Sequence, residues 1–123
     1  MNESRRHRIV VVEDDDATRQ LIAAWVRNDG RFEIVGEAAN GVDAVDLVAA
    51  ARPDCVLLDL RLPGTSGLVA LPQLLRRAPG VCVVVYAHAM TPELAVAARE
   101  AGAAAAFDKS RPFSQVLAAL AGE

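Results

Sequence analysis

Five short, almost unbroken apolar runs constrain this chain more than any other feature. They occupy residues 9–12, 32–35, 55–58, 81–86 and 103–107, and two of them hold three valines in a row, Val10 to Val12 and Val83 to Val85. A strand with one wet face alternates apolar and polar side chains. A strand that is apolar throughout must be covered on both faces, as in a parallel sheet between helical layers. The intervening segments supply those layers. Asp15 or Asp16 can cap a helix carrying Leu21, Ile22, Trp25 and Val26 that stops near Gly30. Residues 41–51 place Val42, Val45, Val48 and Ala49 at helical spacing, with Leu47 off that stripe. Residues 66–77 carry Leu68, Leu71, Leu74 and Leu75, and Pro72 there calls for a late start or a kink. Thr91-Pro92-Glu93 opens a fourth helix with proline in its first turn, and residues 112–120 give a fifth with Val116, Leu117 and Leu120 inward. Strand and helix alternate five times without a linker or repeat. The expected fold is a single α/β domain over residues 1–123, a doubly wound parallel sheet with right-handed crossovers.

In such sheets ligands bind beyond the carboxyl ends of the strands, where strand order reverses. Three charged positions far apart in sequence fall at those ends: Glu13 and Asp14 after the first run, Asp59 after the third, and Lys109 after the fifth. Of the thirteen basic side chains only Lys109 is lysine. Arginine is a flat fork, whereas lysine carries a compact charge on a thin flexible stem. Each of these residues also has an ordinary role: acids sit favourably at helix N-termini, which suits Asp15 and Asp16, and an aspartate can cap a turn. Their convergence on one edge is more specific than any one of them. Clustered carboxylates repel one another without a cation, and Mg²⁺ prefers such hard oxygen ligands while keeping sites for water and phosphate. A mobile ammonium beside them suits phosphoryl chemistry on an aspartate.

Composition excludes several classes. The net charge of −3 and the lack of a long basic run argue against direct nucleic-acid binding, and Arg5, Arg6 and Arg8 suit a solvated lead-in. Cys55 and Cys82 lie inside apolar runs without metal-ligand spacing, as small hydrophobes do. No signal peptide is expected ahead of the first strand, and the longest apolar run is far short of a membrane span. A cytoplasmic protein is expected.

The residues at this edge resemble the receiver domain of two-component response regulators. The likeness covers essentially the whole chain. It rests on Val10-Val11-Val12-Glu13-Asp14-Asp15, Gly36-Glu37-Ala38-Ala39-Asn40-Gly41, Leu57-Leu58-Asp59 through Pro63-Gly64-Thr65-Ser66-Gly67, and Ala101-Gly102-Ala103 leading to Lys109. The resemblance implies a flavodoxin-like (βα)5 sheet of order 2-1-3-4-5. It implies Asp59 as the phosphoacceptor, Asp14 and Asp59 as Mg²⁺ ligands, Glu13 acting on the metal through water, and Arg61 offering its backbone carbonyl. Lys109 would hold a phosphate oxygen. The donor would be a sensor histidine kinase or a phosphotransfer protein, and a homodimer or output partner would engage helix 4, strand 5 and helix 5. Such a protein is a signalling module that takes part in its own phosphorylation and dephosphorylation rather than a classical enzyme.

Two positions depart from the family. Its Ser or Thr at the end of strand four, which moves with the phosphoryl group, is replaced by Ala87 on gapless counting or by Tyr86 after a one-residue shift. Its aromatic switch residue three before the lysine is Ala106, with Phe107 beside it. Lys109-Ser110 also stands where Lys-Pro is common, so no cis peptide is expected. The switch should therefore be atypical, and a phosphorylation-independent interaction module is the alternative. The wording around Gly36 to Gly41 resembles receivers joined to a helix-turn-helix, yet the chain reaches Glu123 directly after its fifth helix, and no DNA-binding element is expected within it. A haloacid dehalogenase-type phosphatase wants a second Asp where Arg61 stands, and four acids after the first strand would repel a flavin phosphate. His88, beyond strand four, suits an exposed loop position, though general-base chemistry is open to it, and His7 precedes strand one.

Overall fold

The structure, a computed structural model, describes residues 5–123; residues 1–4, the start of the expected domain, lie outside the described residues. The elements alternate as β1 (His7–Val12), α1 (Asp16–Asp29), β2 (Phe32–Ala38), α2 (Gly41–Ala51), β3 (Cys55–Leu58), α3 (Gly67–Arg77), β4 (Cys82–Ala87), α4 (Pro92–Glu100), β5 (Ala105–Asp108) and α5 (Phe113–Leu120). All strand pairs are parallel, and the sheet order is β2-β1-β3-β4-β5.

Strand side chains point alternately to the two faces, and here both faces are dry. Val10, Val12, Val56, Leu58, Val83, Val85 and Ala87 face one core, closed by α2, α3 and α4 through Val48, Leu71, Leu74 and Ala98. Ile9, Val11, Cys55, Leu57, Val84 and Tyr86 face the other, closed by α1 and α5 through Ile22, Val26, Val116 and Leu120. This double coverage is why the valine runs need no polar partner. Each fully buried Val, Leu or Ile contributes about 1.5–3 kcal/mol. Side-chain caps start the first four helices, from Asp15, Asn40, Ser66 and Thr91, each accepting the amide three residues on; such a cap is worth about 1 kcal/mol.

Several sequence expectations need correction. β1 begins at His7, because His7 N–H donates to the Arg31 carbonyl at 2.8 Å and the imidazole packs on Phe32. Arg8 is likewise a strand residue, with its guanidinium on the Arg52 carbonyl at 3.0 Å. β2 runs on to Ala38 through Gly36, and Leu47 is no stray residue there. A Cβ on Gly36 would meet the Leu47 side chain at 2.6 Å, so the missing side chain makes room for Leu47 against the core. Leu21 and Trp25 are substantially exposed, and α1 buries Ile22, Ala23 and Val26 instead. Val42 is also exposed, with Ala44 taking its place inside. α3 passes through Pro72 without ending. β5 starts at Ala105 and ends at Asp108, since the Ala103 amide is taken by the Ala98 carbonyl in the turn after α4.

Candidate functional site

Glu13, Asp59 and Lys109 each stand one residue past the end of a strand, and the neighbouring strand anchors each of them. Glu13 N–H donates to the Ala38 carbonyl at 3.0 Å, Asp59 N–H to the Val12 carbonyl at 3.0 Å, and Lys109 N–H to the Ala87 carbonyl at 3.0 Å. The ladder thus carries all three to the same level of the sheet. α3 comes close to this edge because position 67 is glycine: a Cβ there would lie 2.5 Å from the Asp59 carbonyl oxygen and 2.7 Å from Leu60 Cα. The Gly67 amide instead bonds the Leu60 carbonyl at 2.9 Å.

The ammonium of Lys109 bridges the two buried acids, with Nζ 2.5 Å from Glu13 Oε1 and 2.9 Å from Asp59 Oδ2. The remaining oxygens take backbone donors: Asp15 N–H meets Glu13 Oε2 at 3.1 Å, and Arg61 N–H meets Asp59 Oδ1 at 3.0 Å. Burial pushes the Glu13 carboxyl above its ordinary range, further than the Lys109 ammonium and the Asp15 amide pull it back, and the Asp59 charge adds to the rise. Burial works against the charge of Lys109, but hydrogen bonds to Glu13 and Asp59 outweigh it and hold the group protonated above its ordinary value. The ammonium therefore remains a fixed positive charge at this edge.

Asp14 is exposed beside the buried pair. One oxygen from each of Glu13, Asp14 and Asp59 lies within 4.8 Å of the others. Three hard oxygens with one wet side fit Mg²⁺, which keeps several waters when bound. The structure brings together Glu13, Asp14, Asp59 and Lys109. Arg61 adjoins them through its amide, while its side chain belongs to an exposed residue. His88 is exposed in the turn after β4.

The two open switch positions separate by face. Ala87 belongs with Ala106, Ala98 and Ala103 in the core under α4, whereas Tyr86 and Phe107 face α5. Two further residues shape the edge and were not singled out in the sequence. Asp108 accepts the Met90 amide at 2.8 Å and both donors of Ser110, tying the loop after β4 to the loop after β5. Those bonds hold its carboxyl down at about 2. Its signal was the Asp-x-Ser spacing of a side-chain-closed turn. Arg19 donates to the Glu13 carbonyl at 2.9 Å and pairs with Asp16 and Glu37; the Asp16 spacing alone is an ordinary i,i+3 helix pair, and Glu37 comes from β2.

The profile of the response regulator receiver domain family matches residues 9–121, and the chain belongs to that family. It is 33% identical over 113 residues to the transcriptional regulatory protein PdtaR of Mycobacterium tuberculosis, covering 92% of this chain and 54% of that protein. It is 40% identical over 88 residues to a protein-glutamate methylesterase/protein-glutamine glutaminase of Gluconobacter oxydans, covering 72% of this chain but 25% of the enzyme. The chain thus spans about half of the one and a quarter of the other. Among solved structures, a LuxR-family two-component response regulator from Aurantimonas sp. superposes with TM-score 0.89 at 27% identity, covering 97% of this chain and 88% of that one. The BeF3-activated N-terminal receiver domain of Klebsiella pneumoniae RstA superposes with TM-score 0.83 at 32% identity, covering 93% and 95%. Among the described residues no helix is long and apolar enough to cross a membrane.

Proposed function

We propose that the chain is a single phosphoacceptor domain in which Asp59 takes a phosphoryl group from a phosphohistidine of a sensor histidine kinase or phosphotransfer protein. The observation that carries this reading is one cleft holding Glu13, Asp14 and Asp59 within 4.8 Å, with the Lys109 ammonium 2.9 Å from Asp59. An Asp59 carboxylate oxygen attacks phosphorus, the P–N bond breaks, and its electron pair leaves with the imidazole. The Arg61 amide and Lys109 orient the nucleophile, and Lys109 then follows the transferred oxygens on its flexible stem. Asp14, Asp59 and the Arg61 carbonyl would hold Mg²⁺ directly, with Glu13 acting through water. When bound, the ion offsets the charge that accumulates on the phosphoryl oxygens.

Mass spectrometry after incubation with acetyl phosphate and Mg²⁺ tests the assignment. One phosphoryl group should add to the wild type and none to Asp59→Asn; equal labelling of that variant overturns it. Asp14→Ala should abolish Mg²⁺ binding while the fold persists, since it removes a repelling charge. A large loss of stability would instead make Asp14 structural.

A second reading, a phosphorylation-independent interaction module, is favoured by Ala87 and Ala106. Neither can follow a phosphoryl group as a hydroxyl and a ring would. In the preferred reading the face of α4, β5 and α5 still serves a homodimer or output partner, but phosphate controls it weakly.

A further inference from the structure

Beneath the Lys109 ammonium lies Tyr86. Its ring centre is 5.9 Å from Nζ, and its hydroxyl points at the Lys109 carbonyl oxygen over a long 3.4 Å. Its other edge meets Phe113 of α5, ring centres 5.5 Å apart at 63°, and Phe113 meets Trp25 of α1 at 4.9 Å. Trp25 and Phe113 then line a surface groove of about 230 Å³ between α1 and α5 with Asn28, Asp29, Ser114 and Leu117. Three rings thus join the pocket to the surface without a gap.

We propose that Tyr86 is a positioning residue for Lys109, and that Tyr86, Phe113 and Trp25 relay the state of the acid pocket to the α1–α5 surface. The proposal rests on the phosphorylation reading and deepens it. Phosphorylation replaces the single carboxylate charge of Asp59 by an acyl phosphate of about −2, carried on oxygens farther from the strand end, and Lys109 must turn from Glu13 to meet them. Its carbonyl is tethered to the Tyr86 hydroxyl and its ammonium lies over the Tyr86 ring, so either movement reaches a ring buried on all sides. A buried ring can yield only by moving its neighbours, because protein interiors are close-packed. On the α4 side Ala87 and Ala106 offer no side chain to carry the displacement. A ligand shifts an equilibrium only through contacts that differ between its states, and the ring in contact with Lys109 lies on the side of α5 and α1.

Trp25 is the only tryptophan, so its emission reports the end of the relay. The whole chain is titrated with Mg²⁺ alone and then labelled with acetyl phosphate, with fluorescence and mass spectrometry read together. Trp25 emission should shift in step with Mg²⁺ binding and again with the labelled fraction. Phe113→Leu, which keeps most of the apolar bulk, should abolish both shifts while labelling proceeds. Tyr86→Phe keeps the ring but loses one weak hydrogen bond, and should slow labelling about threefold at unchanged Mg²⁺ affinity. Labelled protein with unshifted emission, full shifts in Phe113→Leu, or a wild-type rate in Tyr86→Phe overturns the proposal. Should Asp59 take no label, the phosphorylation reading fails, and the Mg²⁺ titration with its Phe113→Leu control still decides the relay.

Discussion

The two faces of this sheet are furnished unequally. All five aromatic rings gather on the α1–α5 side: Phe32, Tyr86, Phe107 and Phe113 in or against its core, and Trp25 on Phe113. The α2–α3–α4 side contains no ring in its core, and at the ends of β4 and β5 nearest the pocket its strand residues are Ala87 and Ala106. Both faces are equally dry, so the contrast lies in leverage rather than burial. Small side chains fill space and transmit little, because a methyl group has no rotamer to change. Rings in edge contact form a rigid path. In the proposed relay a change at Asp59 passes toward α1 and α5 through Phe113, whereas the family resemblance points to the face of α4, β5 and α5.

The largest expected effect concerns the residue above both faces. Lys109→Ala removes the shared cation of two buried carboxylates and should destabilise the chain by about 3 kcal/mol in urea unfolding without metal. Mg²⁺ should restore part of that loss, and a neutral result would dissolve the claim that the pocket is electrostatically closed by Lys109. Next, Phe113→Ala should cost about 2 kcal/mol of stability, below the fully buried Phe→Ala range because Phe113 is only half-buried. Ala106→Gly across the sheet should cost about 1 kcal/mol or less. Equal losses would erase the difference between the faces. Smaller still is the response of the α4–β5–α5 face: dimer or partner affinity, measured with and without a phosphoryl mimic, should change by well under tenfold, or about 1.4 kcal/mol. A hundredfold change would reverse the comparison, whereas Ala87→Thr enlarging a small response would sharpen it.

The smallest effect belongs to Asp108, whose bonds tie the two loops at the edge. Its folded pKa of about 2 lies below the ordinary 3.8, so the folded state gives up this proton more readily than the unfolded state. Its contribution is present in full above 3.8 and is lost as pH falls through about 2. Asp108→Asn should lower stability at neutral pH and flatten the acid limb between those values, read as the difference between two urea–pH series. Superimposable acid limbs would remove Asp108 from the account of how the loops are held.

Much of the candidate site was legible because its residues announce themselves in one dimension. An acid just past an apolar run falls at a strand end whatever the fold's details, so Glu13, Asp14 and Asp59 could be named, and Lys109, two residues past its run, stood out as the one lysine. The opposite held for residues whose partners come from elsewhere. Asp108 directly follows a run, but its bond to the Met90 amide joins it to another loop; Arg19 reaches Glu37 on β2; and Leu47 found its place only because Gly36, eleven residues before it and on another element, lacks a side chain.

What the sequence determined by itself was the layering. Unbroken valine runs between helical patterns admit only strands covered on both sides, since the hydrophobic effect rewards burial without regard to direction. What it left open was handedness at the scale of one residue. Whether Tyr86 or Ala87 turned toward α4 could not be read from a run apolar on both sides, because a strand's side chains alternate and a one-residue slip exchanges the faces. Only the pairing of β4 with β5, Ala87 opposite Asp108 and Tyr86 opposite Phe107, decided it and put the rings beneath Lys109.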